Sequence, residues 1–243
     1  GNITENRTLA AGKVYKLTGG VHVKKGATLT IPAGTTISAN YEEDIPYLLI
    51  EQGAKIDAQG TAENPIIMTS DEKKEGAWGG LHICGYAHTN NSGNTVSEIG
   101  NAPYGGNNDE DNSGILRYVR LEYTGKALDE EHEANGVSFY GVGNGTTVEY
   151  LQAYKGSDDG FEFFGGSVNV KHMVVTSCSD DSFDWTEGWN GKAQFLVAYQ
   201  ENKESLGYDC DCLMECDNNG NNFGASPVAH PVIANATLIG NGG

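Results

Sequence analysis

Ser157-Asp158-Asp159-Gly160-Phe161-Glu162 recurs 22 residues later as Ser179-Asp180-Asp181-Ser182-Phe183-Asp184. A small residue, two aspartates, a small residue, a phenylalanine and an acid return in order, which marks a repeat rather than a chance composition. Upstream, Asn135-Gly136-Val137-Ser138-Phe139 follows the same template, and downstream Asp211-Cys212-Leu213-Met214-Glu215 follows it more loosely, so four rungs are implied.

A second ladder of segments interleaves with the first: Tyr118-Val119-Arg120-Leu121, Tyr150-Leu151-Gln152-Ala153, His172-Met173-Val174-Val175, Phe195-Leu196-Val197-Ala198 and Asn235-Ala236-Thr237-Leu238. Most alternate apolar and polar residues, the period of a half-buried strand. Uneven spacing between them requires loop insertions in particular coils. The first half reads the same way: Val21-His22-Val23, Ala27-Thr28-Leu29-Thr30-Ile31, Thr35-Thr36-Ile37, Leu48-Leu49-Ile50 and Ala54-Lys55-Ile56-Asp57 stand between Gly, Pro and Asn turns. No window carries a helical period. Short strands in repeating units, with 34 glycines available for corners, predict an all-β right-handed parallel β-helix, a solenoid of about 22 residues per coil with loop insertions. A β-sandwich is the alternative, but it leaves the rung-by-rung echo unexplained. We read residues 1–243 as a single domain. Its last segment stops on a strand-like run where a solenoid needs a cap, so the native protein is expected to extend further.

Fifteen Lys and Arg against 33 Asp and Glu leave a net charge of −18. Such a chain repels nucleic acid and anionic membranes and favours cations or neutral ligands. No apolar run is long enough for a transmembrane helix.

Several stretches resemble a family of secreted or lipid-anchored Bacteroidetes surface proteins. They are Lys24-Lys25-Gly26-Ala27-Thr28-Leu29-Thr30-Ile31-Pro32-Ala33-Gly34-Thr35, the run Gly53 to Ile66, Trp78-Gly79-Gly80-Leu81, Asp111-Asn112-Ser113-Gly114-Ile115-Leu116-Arg117-Tyr118-Val119 and Gly156 to Glu162. The resemblance implies a pectate-lyase-like β-helix on the outer cell surface or outside the cell, and it supplies no catalytic residues to carry over. Cys210 to Cys216 departs from the family pattern.

A coil of 22 residues sets Asp158 over Asp180, Asp159 over Asp181 and Glu162 over Asp184 at the ~4.8 Å strand spacing. At that distance each like-charged pair repels by about 3.5 kcal/mol at an effective dielectric of 20. A hard cation such as Ca²⁺ relieves the repulsion, taking roughly six to eight oxygens, and these six residues are its expected ligands. Asn107-Asn108-Asp109-Glu110-Asp111-Asn112 is a second acidic turn without EF-hand spacing. Catalysis is the competing use: paired carboxylates hydrolyse glycosidic bonds, and a lyase needs a base. Asp159, Asp181 and Lys171 are the candidates, with acidic glycans as the substrate class. Turn chemistry alone also places Asp at corners.

Tyr118, Tyr150, His172 and Phe195 occupy equivalent strand positions, with Asn235 in the last. An aromatic stripe suits the apolar faces of sugars, and Trp185, Trp189 and Tyr199 extend it as ligand-binding candidates. Five cysteines include Cys210, Cys212 and Cys216, spaced unlike a zinc site; a local Cys212–Cys216 disulfide is expected in an oxidising compartment. The partner expected is a polysaccharide or other surface component. Three function classes follow: a glycan-binding, adhesive or structural module with Ca²⁺; a polysaccharide hydrolase or lyase; and a filament subunit that associates with itself end to end.

Overall fold

A computed structural model describes residues 1–41, 44–93, 95–127 and 132–242. Every strand pair between named strands is parallel. Parallel neighbours cannot be joined by tight hairpins, and their crossovers are right-handed with few exceptions. The result is the expected right-handed parallel β-helix, with eight coils among the described residues.

Three faces run the length of the molecule. Face one stacks one strand from each coil: Asn2–Ile3, Gly20–Val23, Tyr47–Ile50, Leu81–Cys84, Val137–Tyr140, Phe161–Phe164, Phe183–Thr186 and Glu215–Cys216. Faces two and three are separate strands in the first three coils, for example Thr28–Pro32 and Thr36–Ala39. From the fourth coil they merge into single long strands: Gly114–Glu122, Thr147–Tyr154, Asn169–Thr176, Lys192–Tyr199 and Val232–Ile239. The first half of Gly114–Glu122 pairs with Lys55–Gln59 and its second half with Ile66–Ser70, so one strand serves two faces.

The bend within each long strand falls on one residue. Tyr118, Tyr150, His172, Phe195 and Asn235 have φ of 48°, 58°, 55°, 61° and 55°, and the pairing skips each of them. Left-handed backbone costs a non-glycine residue about 1–3 kcal/mol, and only Asn235 is a residue type that adopts it readily. Stacking offsets part of that cost. Successive ring centroids lie 4.4, 4.3 and 4.7 Å apart, with planes within 16° of parallel, and an aromatic pair contributes ~0.5–1.5 kcal/mol beyond burial.

Inside, alternate residues of face one form continuous columns. Leu48, Leu81, Val137, Phe161 and Phe183 are in register, as are Ile50, Ile83, Phe139, Phe163 and Trp185. Phe163 stacks on Phe139 at 5.0 Å and on Trp189 at 4.2 Å. Trp189 is 1% exposed and belongs to the core, and Trp185 packs against it. This corrects their assignment to a surface platform: residue 185 falls on an inward position of face one, so both indoles point away from the aromatic corner. Tyr199 does stay exposed, in the outer column of face three that contains Tyr154.

Gly160 opens the sixth coil because nothing larger fits; a β-carbon there would sit 2.6 Å from both Val175 and the Ser182 carbonyl. A 22-residue spacing holds between coils five and six on the merged strands, as in Thr147↔Asn169, and between coils six and seven on face one, as in Phe161↔Phe183. It also holds between the first two coils at Arg7↔Leu29 and Val14↔Thr36, whereas other coils carry insertions. The largest excursion separates Leu81–Cys84 from Gly114–Glu122, and another, ahead of Glu215–Cys216, includes a four-residue helix, Lys203–Leu206. No helix among the described residues is long and apolar enough to cross a membrane.

Candidate functional site

The outer side of face one changes character along its length. One outward row reads His22, Leu49, His82, Ser138, Glu162, Asp184 and Glu215 from the second coil to the last. Its neighbour reads Cys84, Tyr140, Phe164 and Thr186. The long connection after Leu81–Cys84 folds over the lower part, where Ala102 and Tyr104 pack on Leu49, Cys84, Tyr140 and Phe164. The acids emerge beyond that cover.

Glu187 fastens the cover to the seventh coil. It is 8% exposed and accepts hydrogen bonds from Tyr104 Oη at 2.9 Å, Thr89 Oγ1 at 2.7 Å and Asn91 Nδ2 at 2.8 Å. Asn90 adds a second clasp, donating to the Asn218 and Pro227 carbonyls and accepting from Asn219. Glu187→Gln sets an amide N–H₂ against groups that donate. It is expected to cost ~1–3 kcal/mol, the range for a broken buried hydrogen bond, measured as a lower urea midpoint with an unchanged slope.

Beyond the cover lies a cleft of about 220 Å³ lined by nine carboxyl groups. Asp158, Asp159, Asp180 and Asp181 come from the two repeat turns, Glu162, Asp184 and Glu215 from the outward row, Glu98 from the cover and Glu133 from the connection before the fifth coil. All six acids expected from the 22-residue repeat therefore meet in one place, together with three more. Glu215 lies beside Asp184, where the looser fourth echo placed it. Glu98 and Glu133 were not anticipated, because nothing in an insertion's sequence says where it folds back. The turn backbones are braced by the same side chains: Asp159 Oδ1 accepts from the Asp181 N–H at 2.9 Å, and Asp181 Oδ1 from the Cys212 N–H at 2.8 Å.

No Lys or Arg is among the described lining residues; His132 acts on Glu98 from nearby, favouring its ionised form. Burial and neighbouring acids consequently hold protons on the carboxyls. Asp158 is pushed up to about 8, by burial first and then by Glu133 and Asp180. Asp181 is also raised to about 8, by burial and by a hydrogen bond to Glu215. Glu98 rises to about 7 and Asp184 to about 6, burial leading in both. Asp159 and Glu162 go well above the ordinary carboxyl range, again chiefly through burial. The interaction between Glu162 and Asp184 raises Glu162 further and offsets part of the rise at Asp184.

The donor set suits a hard cation. Overlapping triads, Glu133–Asp158–Asp180, Asp159–Asp180–Asp181, Asp159–Glu162–Asp184 and Asp181–Asp184–Glu215, each bring oxygens within 4.8 Å of one another. Asn135 is 1% exposed; its Nδ2 donates to Glu162 Oε2 at 2.6 Å, while its Oδ1 has no partner. A buried, unsatisfied amide oxygen next to a carboxylate is the kind of group that a cation's coordination completes.

Other expectations sort differently. Lys171 lies on face two between Glu149 and Gln194 and is exposed, so it does not join Asp159 and Asp181 as a base. The turn at 107–112 is occupied structurally: Asp109 holds His88 at 2.7 Å and Asp111 accepts from the Tyr86 N–H. The Cys212–Cys216 disulfide is not formed; all five cysteines are free. Cys212 is tied by its N–H to Asp181 and by its thiol to Asp211, while Cys216 sits in the face-one strand opposite Trp185.

The aromatic stripe is real but differs from a flat platform. Ring faces are spent on each other in the stack, so the surface presents ring edges. Those edges wall a groove of about 560 Å³ at the corner of faces two and three.

The sequence profile of the family described as "Pectate-lyase like beta helix domain" matches residues 1–243. No curated protein matches the chain.

Proposed function

Since the chain belongs to the pectate-lyase-like β-helix domain family, we propose that it is an extracellular or cell-surface module that engages carbohydrate and holds a divalent cation, Ca²⁺ in the first instance, in the acidic cleft of face one. The observation that carries the cation is the convergence of nine carboxyls with no Lys or Arg among the described lining residues. Carboxyls stacked at strand spacing repel one another, and protons or a cation relieve that repulsion. The carbohydrate role draws on the family and on the corner groove; the surface placement draws on the resemblance described above and on the net charge of −18. Asp158, Asp159, Glu162, Asp180, Asp181 and Asp184, with Glu215, are the cation's proposed ligands.

A hydrolase is the second reading, favoured by two adjacent carboxyls in register, Glu162 and Asp184, of which Glu162 is pushed further toward its protonated form. It predicts release of reducing ends from a polysaccharide, abolished by Asp184→Asn. Retention of the protein on immobilised polysaccharides, compared in Ca²⁺ and in EDTA, tests the leading reading. Retention without release of sugar supports it; passage through every matrix in both buffers refutes it.

A further inference from the structure

The groove at the corner of faces two and three is built from two parallel columns. Its wall is the left-handed column, Tyr150, His172, Phe195 and Asn235; its floor is the outward column of face three, Gln152, Val174, Val197 and Thr237. Both columns advance by one residue per coil, because Gln152↔Val174, Val174↔Val197 and Val197↔Thr237 are pairing partners. The groove therefore has a repeat of ~4.8 Å over four rungs, close to the length of one pyranose unit in an extended chain.

Its chemistry is equally specific. On a molecule of net charge −18, no Asp, Glu, Lys or Arg is among the described residues that line it. Tyr150, Phe195 and Val197 are 37%, 41% and 36% exposed, unusually open for large apolar side chains in adjacent positions. The valines offer an apolar floor, ring edges carry the positive end of the aromatic quadrupole toward ligand oxygens, and Gln152, His172, Asn235 and Thr237 supply donors and acceptors at successive levels. The volume of about 560 Å³ falls in the range of roughly 300–1,000 Å³ found for ligand sites.

We propose that this groove binds a neutral, linear polysaccharide laid parallel to the helix axis, one sugar per rung. The proposal rests on the carbohydrate reading and deepens it. An acidic glycan meets no Lys or Arg among the described lining residues and a repulsive whole-molecule field; a branched one fits only where its branches point away from the groove.

Titration calorimetry with cello-, xylo- and laminari-oligosaccharides of two to six units, beside galacturonic acid oligomers of the same lengths, tests it on the wild type and on Val197→Glu. Val197 is already 36% exposed, and a thermal melt run beside the titration checks that the variant stays folded. For at least one neutral series, affinity is expected to rise with each sugar up to about four and then level off. The variant is expected to lose at least tenfold in affinity, and the acidic oligomers not to bind. Binding of acidic oligomers alone, neutral binding unaffected by Val197→Glu, or self-association that the variant abolishes would each overturn the groove assignment while leaving the carbohydrate reading to its own retention test. Failure of every oligomer to bind overturns the assignment as well, and together with failure of retention removes the reading beneath it.

Discussion

Stripped of divalent cations, the protein is expected to lose thermal stability steadily as pH rises from about 4 to 8. The sign follows from the cleft. Asp158 and Asp181 titrate near 8, Glu98 near 7 and Asp184 near 6 in the folded chain, all above the ordinary carboxyl values near 4. Between the two ranges the folded state holds protons that the unfolded chain has already released, so unfolding releases protons and stability falls with pH. Below pH 4 both states are protonated and the penalty vanishes; above 8 it is fully expressed. For a chain of this size ~1 kcal/mol moves Tm by about 2–4 °C, and several such groups are expected to lower Tm by at least ~5 °C between pH 5 and 8. Ca²⁺ takes the place of the protons. At a hundred times its dissociation constant it adds about 2.7 kcal/mol, and its stabilisation is larger at pH 8 than at pH 5, where protons compete for the same oxygens. Thermal melts in EDTA and in millimolar CaCl₂, at matched ionic strength, check both slopes.

The double substitution Asp159→Asn, Asp181→Asn is expected to reverse the usual cost of altering a buried polar residue. Asp159 and Asp181 are 6% and 2% exposed, and each accepts a backbone N–H through Oδ1. Asparagine keeps that oxygen as an acceptor and removes the charge. At pH 8 in EDTA the variant should melt several degrees above the wild type, because two of the most strongly repelled carboxyls are gone. In Ca²⁺ the order inverts: the wild type gains and the variant does not. Asp159→Ala and Asp181→Ala act oppositely in EDTA, each orphaning a buried N–H at ~1–3 kcal/mol. Asn and Ala variants therefore separate charge from hydrogen bonding at the same positions.

Much of this architecture was legible because a β-helix repeats its environment coil by coil. The echo of Ser157–Glu162 in Ser179–Asp184 reported the register directly, and Phe161↔Phe183 and Glu162↔Asp184 are true pairing partners. The stripe of Tyr118, Tyr150, His172 and Phe195 was legible for the same reason. Its backbone was not: aromatic residues carry no propensity for left-handed φ, and only Asn235 hinted at the bend. Trp189 misled because inside and outside positions cannot be told apart in a turn without strand alternation. Glu98 stayed hidden because the cover that delivers it is held by scattered long-range bonds, such as Tyr104 to Glu187, that leave no periodic trace. Lys171 seemed near the acids in sequence, yet a strand on another face separates them in space.

The most direct test of the central claim is calorimetric titration of CaCl₂ into EDTA-stripped, desalted protein at pH 7.5, run in parallel on the Asp159→Asn, Asp181→Asn variant. The account predicts saturable binding with at least one site per chain and proton release in the wild type, weakened at least a hundredfold in a variant that remains folded. Absence of binding in the wild type, or equal binding in the variant, would contradict it.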